Sequence, residues 1–156
     1  GEGAPDGQQK NYEIEFCNKF STRMLVDCIP KRERRHQDFE KTLQLNFDRK
    51  IFKEHKQDEK EEGGDDQDGL LLSLRDVHHR DDGSLKDKVF ELIRHEAKAG
   101  GEPSYVQIKK KSEVIEGKRQ VVTQLIDISK KILYDQAKAR SEVLALINAT
   151  VSHEMR

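Results

Sequence analysis

Neither glycine nor proline occurs in residues 129–156, which read SKKILYDQAKARSEVLALINATVSHEMR. These are the residues that most readily end a helix, so the segment is predicted to form one continuous helix. At 1.5 Å per residue this helix would be roughly 40 Å long. Helices of such length without internal stop signals are typical of coiled coils and helical bundles, so we expect this one to pair with another helix.

The same segment carries a seam of mostly apolar residues at alternating steps of four and three. This spacing is the heptad pattern of a coiled coil, and Arg140 is its one charged position. The pattern predicts a coiled coil or a helical bundle. The seam consists of Leu133, Ala137, Arg140, Leu144, Ile147 and Val151.

Two strand-like runs precede this helix, SYVQIKKK at 104–111 and RQVVTQLIDI at 119–128. Between them, Gly117 can adopt the positive φ that a tight turn requires. Two such runs joined by a short glycine-containing segment predict an antiparallel hairpin.

A second helix is predicted over 84–98. Ser84 is a candidate N-cap, and Gly100 supplies a stop signal after the last turn. His95 would lie on this helix as a surface residue. The apolar residues that recur at helical spacing are Leu85, Val89, Leu92 and Ile93.

The N-terminal part is predicted to hold a disordered tail, a strand and a short helix. Residues 1–10 are rich in glycine, glutamine and acidic side chains, a composition typical of disorder. Residues 12–16 alternate apolar and polar positions, as in a half-buried strand. Asn18 can cap a helix at 19–29, because its side chain accepts hydrogen bonds from backbone N–H groups. Pro30 would end that helix.

Two stretches in the middle of the chain are harder to assign, and a polar stretch lies between them. Residues 31–56 read as helix or as mixed structure. Residues 56–69, KQDEKEEGGDDQDG, are almost entirely polar or glycine and predict a mobile acidic loop. Residues 70–77 fit a buried strand or a short helix, and periodicity does not decide between them.

Composition excludes several classes of function. The net charge of −1 provides no bulk attraction to nucleic acid or anionic membranes, and the basic run at 31–36 is expected to be solvated surface. No apolar run approaches 18 residues, so no membrane-spanning segment is expected. Cys17 and Cys28 form neither a disulfide framework nor a zinc-binding spacing. We expect free thiols and a cytoplasmic location for this segment.

The sequence SHEMR at 152–156 resembles the H-box of sensor histidine kinases, which reads roughly S-H-E-[L/M/F]-R-T-P-[L/I]. All five residues agree with that pattern, and Asn148 lies five residues before the histidine. The chain ends before the T-P, as expected for part of a longer protein. His153 lies nine residues after Leu144. At 100° per residue this is about half a turn, so the imidazole is expected to face water, away from the seam.

This resemblance implies homodimerisation through 129–156 and a phosphoryl-transfer mechanism. His153 would accept the γ-phosphate of ATP as a phosphoramidate, and Glu154 would be its acid–base partner. The phosphoryl group would then pass to an aspartate on a response-regulator receiver domain. ATP and Mg²⁺ would bind the kinase's own ATP-binding domain, whose motifs are missing from this sequence. The chain alone is therefore expected to be inactive and to carry no cofactor.

Upstream of the helix, the sequence resembles a PAS domain. EIEFCNKFS at 13–21 resembles the strand ending in aromatic-x-Asn that opens the PAS pattern. Residues 105–129 resemble the last two PAS strands, closed by a D-I-S/T tripeptide. Asp127 and Ser129 fit that junction, where either side chain can cap the first helical turn.

The predicted fold class is therefore α+β, with a PAS-like antiparallel sheet, flanking helices and a long C-terminal signalling and dimerisation helix. The predicted domains are a disordered tail at 1–10 and a PAS-like sensor domain at 11–127 with an acidic insertion at 56–69. The start of the kinase dimerisation and phosphoacceptor helix follows at 128–156.

PAS domains hold flavin, haem, a small ligand or nothing, and the sequence does not identify a ligand. Cys17 does not match the N-C-R-F-L-Q-like helix that flavin photochemistry requires. His78 and His79 are adjacent, so their side chains diverge on a helix or strand, and metal or haem ligation is not expected. The alternative function is a PAS and coiled-coil interaction module that dimerises or binds a partner without phosphotransfer.

Overall fold

The computed structural model describes residues 13–34, 38–56, 69–95 and 101–154, with side chains as far as Asn148 in the last helix. The tail predicted at 1–10 and most of the acidic insertion predicted at 56–69 lie outside the described residues. In chain order the elements are α1 (Lys19–Leu25), 3₁₀ turns at Val26–Cys28 and Lys31–Glu33, α2 (Phe39–Leu45), β1 (Lys50–His55), β2 (Leu71–Ser73), α3 (Leu74–His79), α4 (Asp82–Leu85), β3 (Val89–Leu92), β4 (Tyr105–Ile115), β5 (Lys118–Asp127) and α5 (Ser129–Glu154).

The strands form one five-stranded sheet in the order β2-β1-β3-β4-β5. Every neighbouring pair is antiparallel. The middle strand, β3, pairs Leu92 with Phe52 of β1 and Phe90 with Val106 of β4. The predicted α+β class is confirmed at this level, as an antiparallel sheet with flanking helices and a C-terminal helix.

Each face of the sheet carries its own hydrophobic cluster. In the larger cluster, α1, α2, α3 and α4 pack against one face of the sheet. At its centre the rings of Phe52 and Phe90 lie edge to face, with their centroids 6.3 Å apart. The smaller cluster, on the other face, joins Val89 and Tyr105 to Ile132 at the start of α5. The sheet therefore separates the short helices from the long one.

The predicted cap of the first helix is confirmed. The Asn18 side chain accepts a hydrogen bond from the Ser21 N–H at 2.8 Å, which satisfies one of the free donors at the N-terminus of α1. The helix continues as a 3₁₀ turn at Val26–Cys28, and the chain is extended at Ile29, just before Pro30.

The strand predicted over 12–16 is wrong for its described residues, which have no regular secondary structure. Side chains of α2 accept the N–H groups that a neighbouring strand would otherwise bind. Gln44 Oε1 accepts from Ile14 at 2.8 Å, and Glu40 Oε2 accepts from Cys17 at 2.9 Å. Alternation of apolar residues indicated a half-buried segment, but it could not reveal that a helix lies beside it.

The helix predicted over 84–98 is also wrong for residues 86–95, and residues 96–98 lie outside the described residues. The short helix α4 ends at Leu85, and Asp87 has a φ of 63°, a left-handed conformation that interrupts a right-handed helix. Residues Val89–Leu92 instead form the central strand of the sheet. Because this strand is buried on both faces, its apolar residues do not alternate, and their spacing resembles that of a helix.

The two ambiguous stretches contain both kinds of element. Within 31–56 the described residues form a 3₁₀ turn, a helix and a strand. Within 70–77 the short strand β2 leads directly into α3. The change occurs at Ser73, whose side chain accepts from the Asp76 N–H while the Asp76 carboxylate accepts from the Ser73 N–H. This capping box starts a helix where the apolar run alone predicted either structure.

The predicted hairpin is confirmed. Strands β4 and β5 pair from Val106 with Asp127 to Ile115 with Lys118. The two turn residues between them both have positive φ, 52° at Glu116 and 79° at Gly117. Two positive φ values in a two-residue loop match the twist of the flanking strands.

Lys110 of β4 fastens this hairpin to the connection between α3 and α4. Its ammonium group donates to the carbonyl oxygens of His78, at 2.7 Å, and Arg80. Its backbone N–H donates to Asp82 Oδ1 at 2.9 Å. Burial lowers the pKa of Lys110, while the carboxylates of Asp81 and Asp82 act to raise it.

We expect Lys110→Met to lower the free energy of unfolding by about 1–3 kcal/mol, because two partly buried carbonyls lose a charged donor. The measurement is urea-induced unfolding. Lys109→Met is the matched control, since Lys109 is the exposed neighbour on the opposite side of the strand, and a change within about 0.5 kcal/mol is expected. Equal losses in the two variants would contradict the fastening role.

Candidate functional site

The predicted C-terminal helix is confirmed as one uninterrupted helix of 26 residues, α5 (Ser129–Glu154). The predicted site residues His153 and Glu154 belong to its last turn. Arg156, the end of the H-box resemblance, lies outside the described residues, as do the side chains from 149 onward. The orientation of His153 opposite the predicted seam therefore stays a prediction from helical spacing, and the same spacing places His153 about 20° from Leu146, seven residues earlier.

The junction between β5 and α5 is built from hydrogen bonds that involve Asp127, Ile128 and Ser129. Asp127 Oδ1 accepts the Ser129 N–H at 2.9 Å, which caps the first helical turn. Ser129 Oγ accepts the Tyr105 N–H at 2.8 Å. The Ile128 N–H donates to the Tyr105 carbonyl at 2.9 Å. The two junction residues named from the sequence thus have separate tasks, since Asp127 caps the helix and Ser129 binds the helix to β4.

The sheet buries only the beginning of α5. Ile132 is 4% exposed and packs against Val89 and Tyr105, with Ile128 and Leu133 partly buried beside them. From residue 134 to residue 148, every side chain of the helix is exposed. The body of the helix therefore projects away from the domain that holds its base.

The exposed part of α5 carries a wide apolar surface. Leu144 is 54% exposed and Leu146 is 68% exposed, and Val143 and Ile147 are similarly accessible. At 100° per residue, these four positions cover about 160° of the helix surface. A stripe of at least 100° is typical of a helix that packs against a core, and it is wider than the two-position seam of a coiled coil.

Tyr105 was not identified from the sequence as a site residue, although it lies at the centre of the junction. Its side chain is 6% exposed and lies beside Ile132. Burial raises the pKa of the Tyr105 hydroxyl, and the Glu91 carboxylate raises it further, while a hydrogen bond with the Gln136 side chain lowers it. The sequence showed only an aromatic residue at the start of a predicted strand. Such a residue indicates a buried position but does not indicate a contact with the C-terminal helix.

The other histidines singled out in the sequence do not form a ligand set. The rings of His78 and His79 lie 5.9 Å apart in a T-shaped arrangement, and burial lowers the pKa of His78. His95 is exposed and follows β3, so it does not lie on the predicted helix. Among the residues that the structure describes, no group of three or more histidine, cysteine or acidic side chains is arranged to hold a metal ion.

Both cysteines are free, as predicted. Burial raises the pKa of the Cys28 thiol to about 12, so at neutral pH it is a protonated core residue. The pKa of Cys17 is raised as well, first by burial. Neither thiol is activated as a nucleophile.

Comparisons with protein-family models, curated proteins and solved structures found no match to this chain. Within the described ranges, none of the helices combines the length and the apolar character needed to cross a bilayer.

We expect Ser129→Ala to lower the free energy of unfolding by about 1–2 kcal/mol, because the Tyr105 N–H loses its acceptor in a partly buried junction. Ser141→Ala is the matched control on the exposed surface of the same helix, where alanine has the higher helix propensity and no loss is expected. Both variants are compared by urea unfolding. If they are equally stable, the junction hydrogen bond does not hold the helix base.

Proposed function

We propose that this chain is the signal-sensing and phosphoacceptor portion of a two-component sensor histidine kinase. The proposal is supported by one observation on the helix α5. Hydrogen bonds of Asp127 and Ser129 attach its first turn to the sheet, and its last turn contains the Ser-His-Glu sequence. A reactive histidine at the end of such a rod is displaced from the domain that would sense the stimulus. The ATP-binding domain and the receiver domain can then both reach this histidine.

In this proposal His153 is the nucleophile. An imidazole is partly neutral near pH 7, so one ring nitrogen can attack the γ-phosphorus of ATP. A nitrogen–phosphorus bond forms, the bond to the bridging oxygen breaks, and ADP leaves. Glu154 orients or accepts the proton of the other ring nitrogen. Mg²⁺ would accompany the nucleotide on the separate ATP-binding domain, and no cofactor is assigned to this chain.

The proposed partners follow from the same mechanism. They are the ATP-binding domain of the same protein, which would phosphorylate His153, and a receiver domain whose aspartate would accept the phosphoryl group. Neither nucleic acid nor a membrane surface is among the proposed partners, and the segment is proposed to be cytoplasmic. Upstream of the helix, residues 11–127 are proposed to be a PAS-like sensor domain. The hairpin and its Asp-Ile-Ser closure support this, and the irregular residues 13–18 do not.

Homodimerisation through 129–156 is the second element of the proposal. Leu133 of the predicted seam is partly buried at the helix base, whereas Leu144 and Ile147 are exposed. Burying one large apolar side chain contributes about 1.5–3 kcal/mol, so pairing these positions would stabilise a dimer. The width of the apolar surface also leaves room for the second helix of a four-helix bundle.

The same exposed surface favours one alternative, a coiled-coil interaction module without phosphotransfer. The residues that follow Arg156 in the full-length protein separate the two functions. Thr-Pro and an apolar residue would agree with the kinase, because proline kinks the helix there. A continuing repeat of four and three would agree with the interaction module.

We expect Leu144→Lys to raise the dissociation constant of the dimer at least tenfold, because it places a charge in the apolar contact. Sedimentation equilibrium on the chain measures this constant. Leu45→Lys is the matched control, since Leu45 is 69% exposed on α2 and lies outside the seam. A chain that is monomeric at all accessible concentrations would rule out dimerisation through this segment alone.

For the kinase, we expect the full-length protein, supplied with Mg²⁺ and ATP labelled at the γ-phosphate, to acquire acid-labile phosphate. His153→Gln should abolish the label, because an amide cannot form a phosphoramidate. Glu154→Gln should slow labelling by roughly 10²-fold or more, the usual contribution of a general base. His95→Gln is the control, since His95 is also an exposed histidine. Label that persists in His153→Gln would remove this residue from the role.

A further inference from the structure

The hairpin of β4 and β5 extends beyond the strand that carries it. The central strand β3 pairs with β4 at Tyr105 and Val106, whereas β4 and β5 continue to pair as far as Ile115 and Lys118. Further along β4, Lys110 forms hydrogen bonds with the α3–α4 connection on the side where β3 has ended. The far part of the hairpin therefore relies on Lys110 for hydrogen bonding to the rest of the domain.

Lys110 meets the α3–α4 connection at a histidine. Its ammonium group donates to the carbonyl oxygen of His78 at 2.7 Å and to that of Arg80. The ring of the adjacent His79 lies 5.9 Å from the ring of His78. An ammonium group thus lies beside a residue whose own side chain becomes positive in acid, with a second imidazole next to it.

The ring of His78 also lies near a guanidinium group. It is 6.5 Å from the ring of Phe47, and the Arg75 guanidinium lies 5.2 Å from the centre of the same ring. Phe47 is 7% exposed, so one neighbour of the imidazole is a buried apolar side chain. A proton on His78 would therefore place a charge between two cations and beside an apolar ring.

Carboxylates of the neighbouring elements reduce the cost of that charge. Each of the four has a cation or a backbone donor beside it already, so none is held in reserve for His78 alone. The pairs are Asp48 with the Arg75 guanidinium, Asp76 with the Lys50 ammonium, Asp82 with the Lys110 N–H and Asp81 with the Lys110 ammonium. We therefore expect protonation to weaken the Lys110 contacts without unfolding the domain.

The direction of the effect follows from the pKa of His78. Burial lowers this pKa, and the charge of Lys110 lowers it further. When the contact opens, the imidazole regains water and binds a proton more readily, so acid favours the open form. The loss begins as the pH falls through about 6.5, the pKa of an unperturbed imidazole, and is complete below the lower pKa of the closed form.

We propose that His78 makes the attachment of the hairpin acid-sensitive, so that protonation of its imidazole opens the contacts of Lys110 with the α3–α4 connection while the central sheet stays folded. This inference goes beyond the proposed kinase function. It applies equally to the interaction module, because all of its contacts lie within the sheet domain.

The test is amide hydrogen exchange of the chain at about pH 7.5 and about pH 5.5, corrected for the intrinsic effect of pH on exchange. Across this range an unperturbed imidazole gains its proton while ordinary carboxylates keep their charge. The reporter is the Lys110 N–H, which donates to Asp82 Oδ1. The internal control is the Leu92 N–H of the central strand, which donates to the Ser104 carbonyl at 3.0 Å and reports opening of the sheet.

We expect the protection of the Lys110 N–H to fall at least about threefold in acid, the effect of one like-charged pair at a partly exposed site, while the Leu92 N–H stays protected. His78→Gln should abolish this fall, because an amide gains no proton. His95→Gln is the matched control, since His95 is an exposed histidine outside the site, and it should behave like the parent. An equal fall in the parent and in His78→Gln, no fall in either, or an equal fall at Leu92 would each overturn the inference.

A second measurement does not depend on how His78→Gln folds. The titration of the His78 ring is followed by NMR in the parent and in Lys110→Met. Removing the ammonium group should move the midpoint of this titration to higher pH, because a nearby positive charge opposes protonation of the imidazole. A midpoint that stays in place would show that Lys110 and His78 are not coupled, which would also overturn the inference.

Discussion

The hydrogen-bonded junction of Asp127, Ser129 and Tyr105 is the constraint on which the rest of the structure depends. A helix of 26 residues gains little from a sheet that buries only its first two turns. Its orientation must therefore be set by directional bonds at its base. Asp127 satisfies a free N–H of the helix, and Ser129 binds the neighbouring strand. Without these bonds, only the apolar contacts of Ile132 and its partly buried neighbours Ile128 and Leu133 would hold the helix, and apolar contacts fix no angle.

The described chain therefore has one part whose apolar side chains are buried by its own elements, and one part, the body of α5, whose apolar side chains are exposed. The larger cluster closes one face of the sheet with four short helices and leaves its central aromatic residues fully buried. Beyond Leu133, by contrast, α5 exposes several large apolar side chains that nothing in the described chain covers. Large exposed apolar surfaces are typical of sites that bind another protein. The proposed dimer uses the exposed apolar side chains of α5, and the proposed phosphotransfer uses the distance of its far end from the sheet.

The segments that sequence reasoning assigned correctly are those in which local chemistry decides the conformation. Gly117 specifies a tight turn, Asn18 specifies a helix start, and the absence of glycine and proline specifies a long helix, all without distant partners. The segments that it assigned wrongly depend on what lies beside them. Residues 89–92 have the spacing of a helix but are buried from both sides as a central strand. Residues 13–16 alternate like a strand, yet the side chains of α2 bind their backbone.

The candidate site divides in the same way. The sequence by itself determined the long helix, the junction residues Asp127 and Ser129, and the position of the Ser-His-Glu sequence near the end of that helix, because periodicity and capping act over a few neighbouring residues. Only the tertiary structure decided that Tyr105 lies against this junction, with His55 on one side and the helix on the other. Residues so far apart in the chain meet because strand pairing aligns them. The register of that pairing is set by the whole buried sheet, and no local pattern contains it.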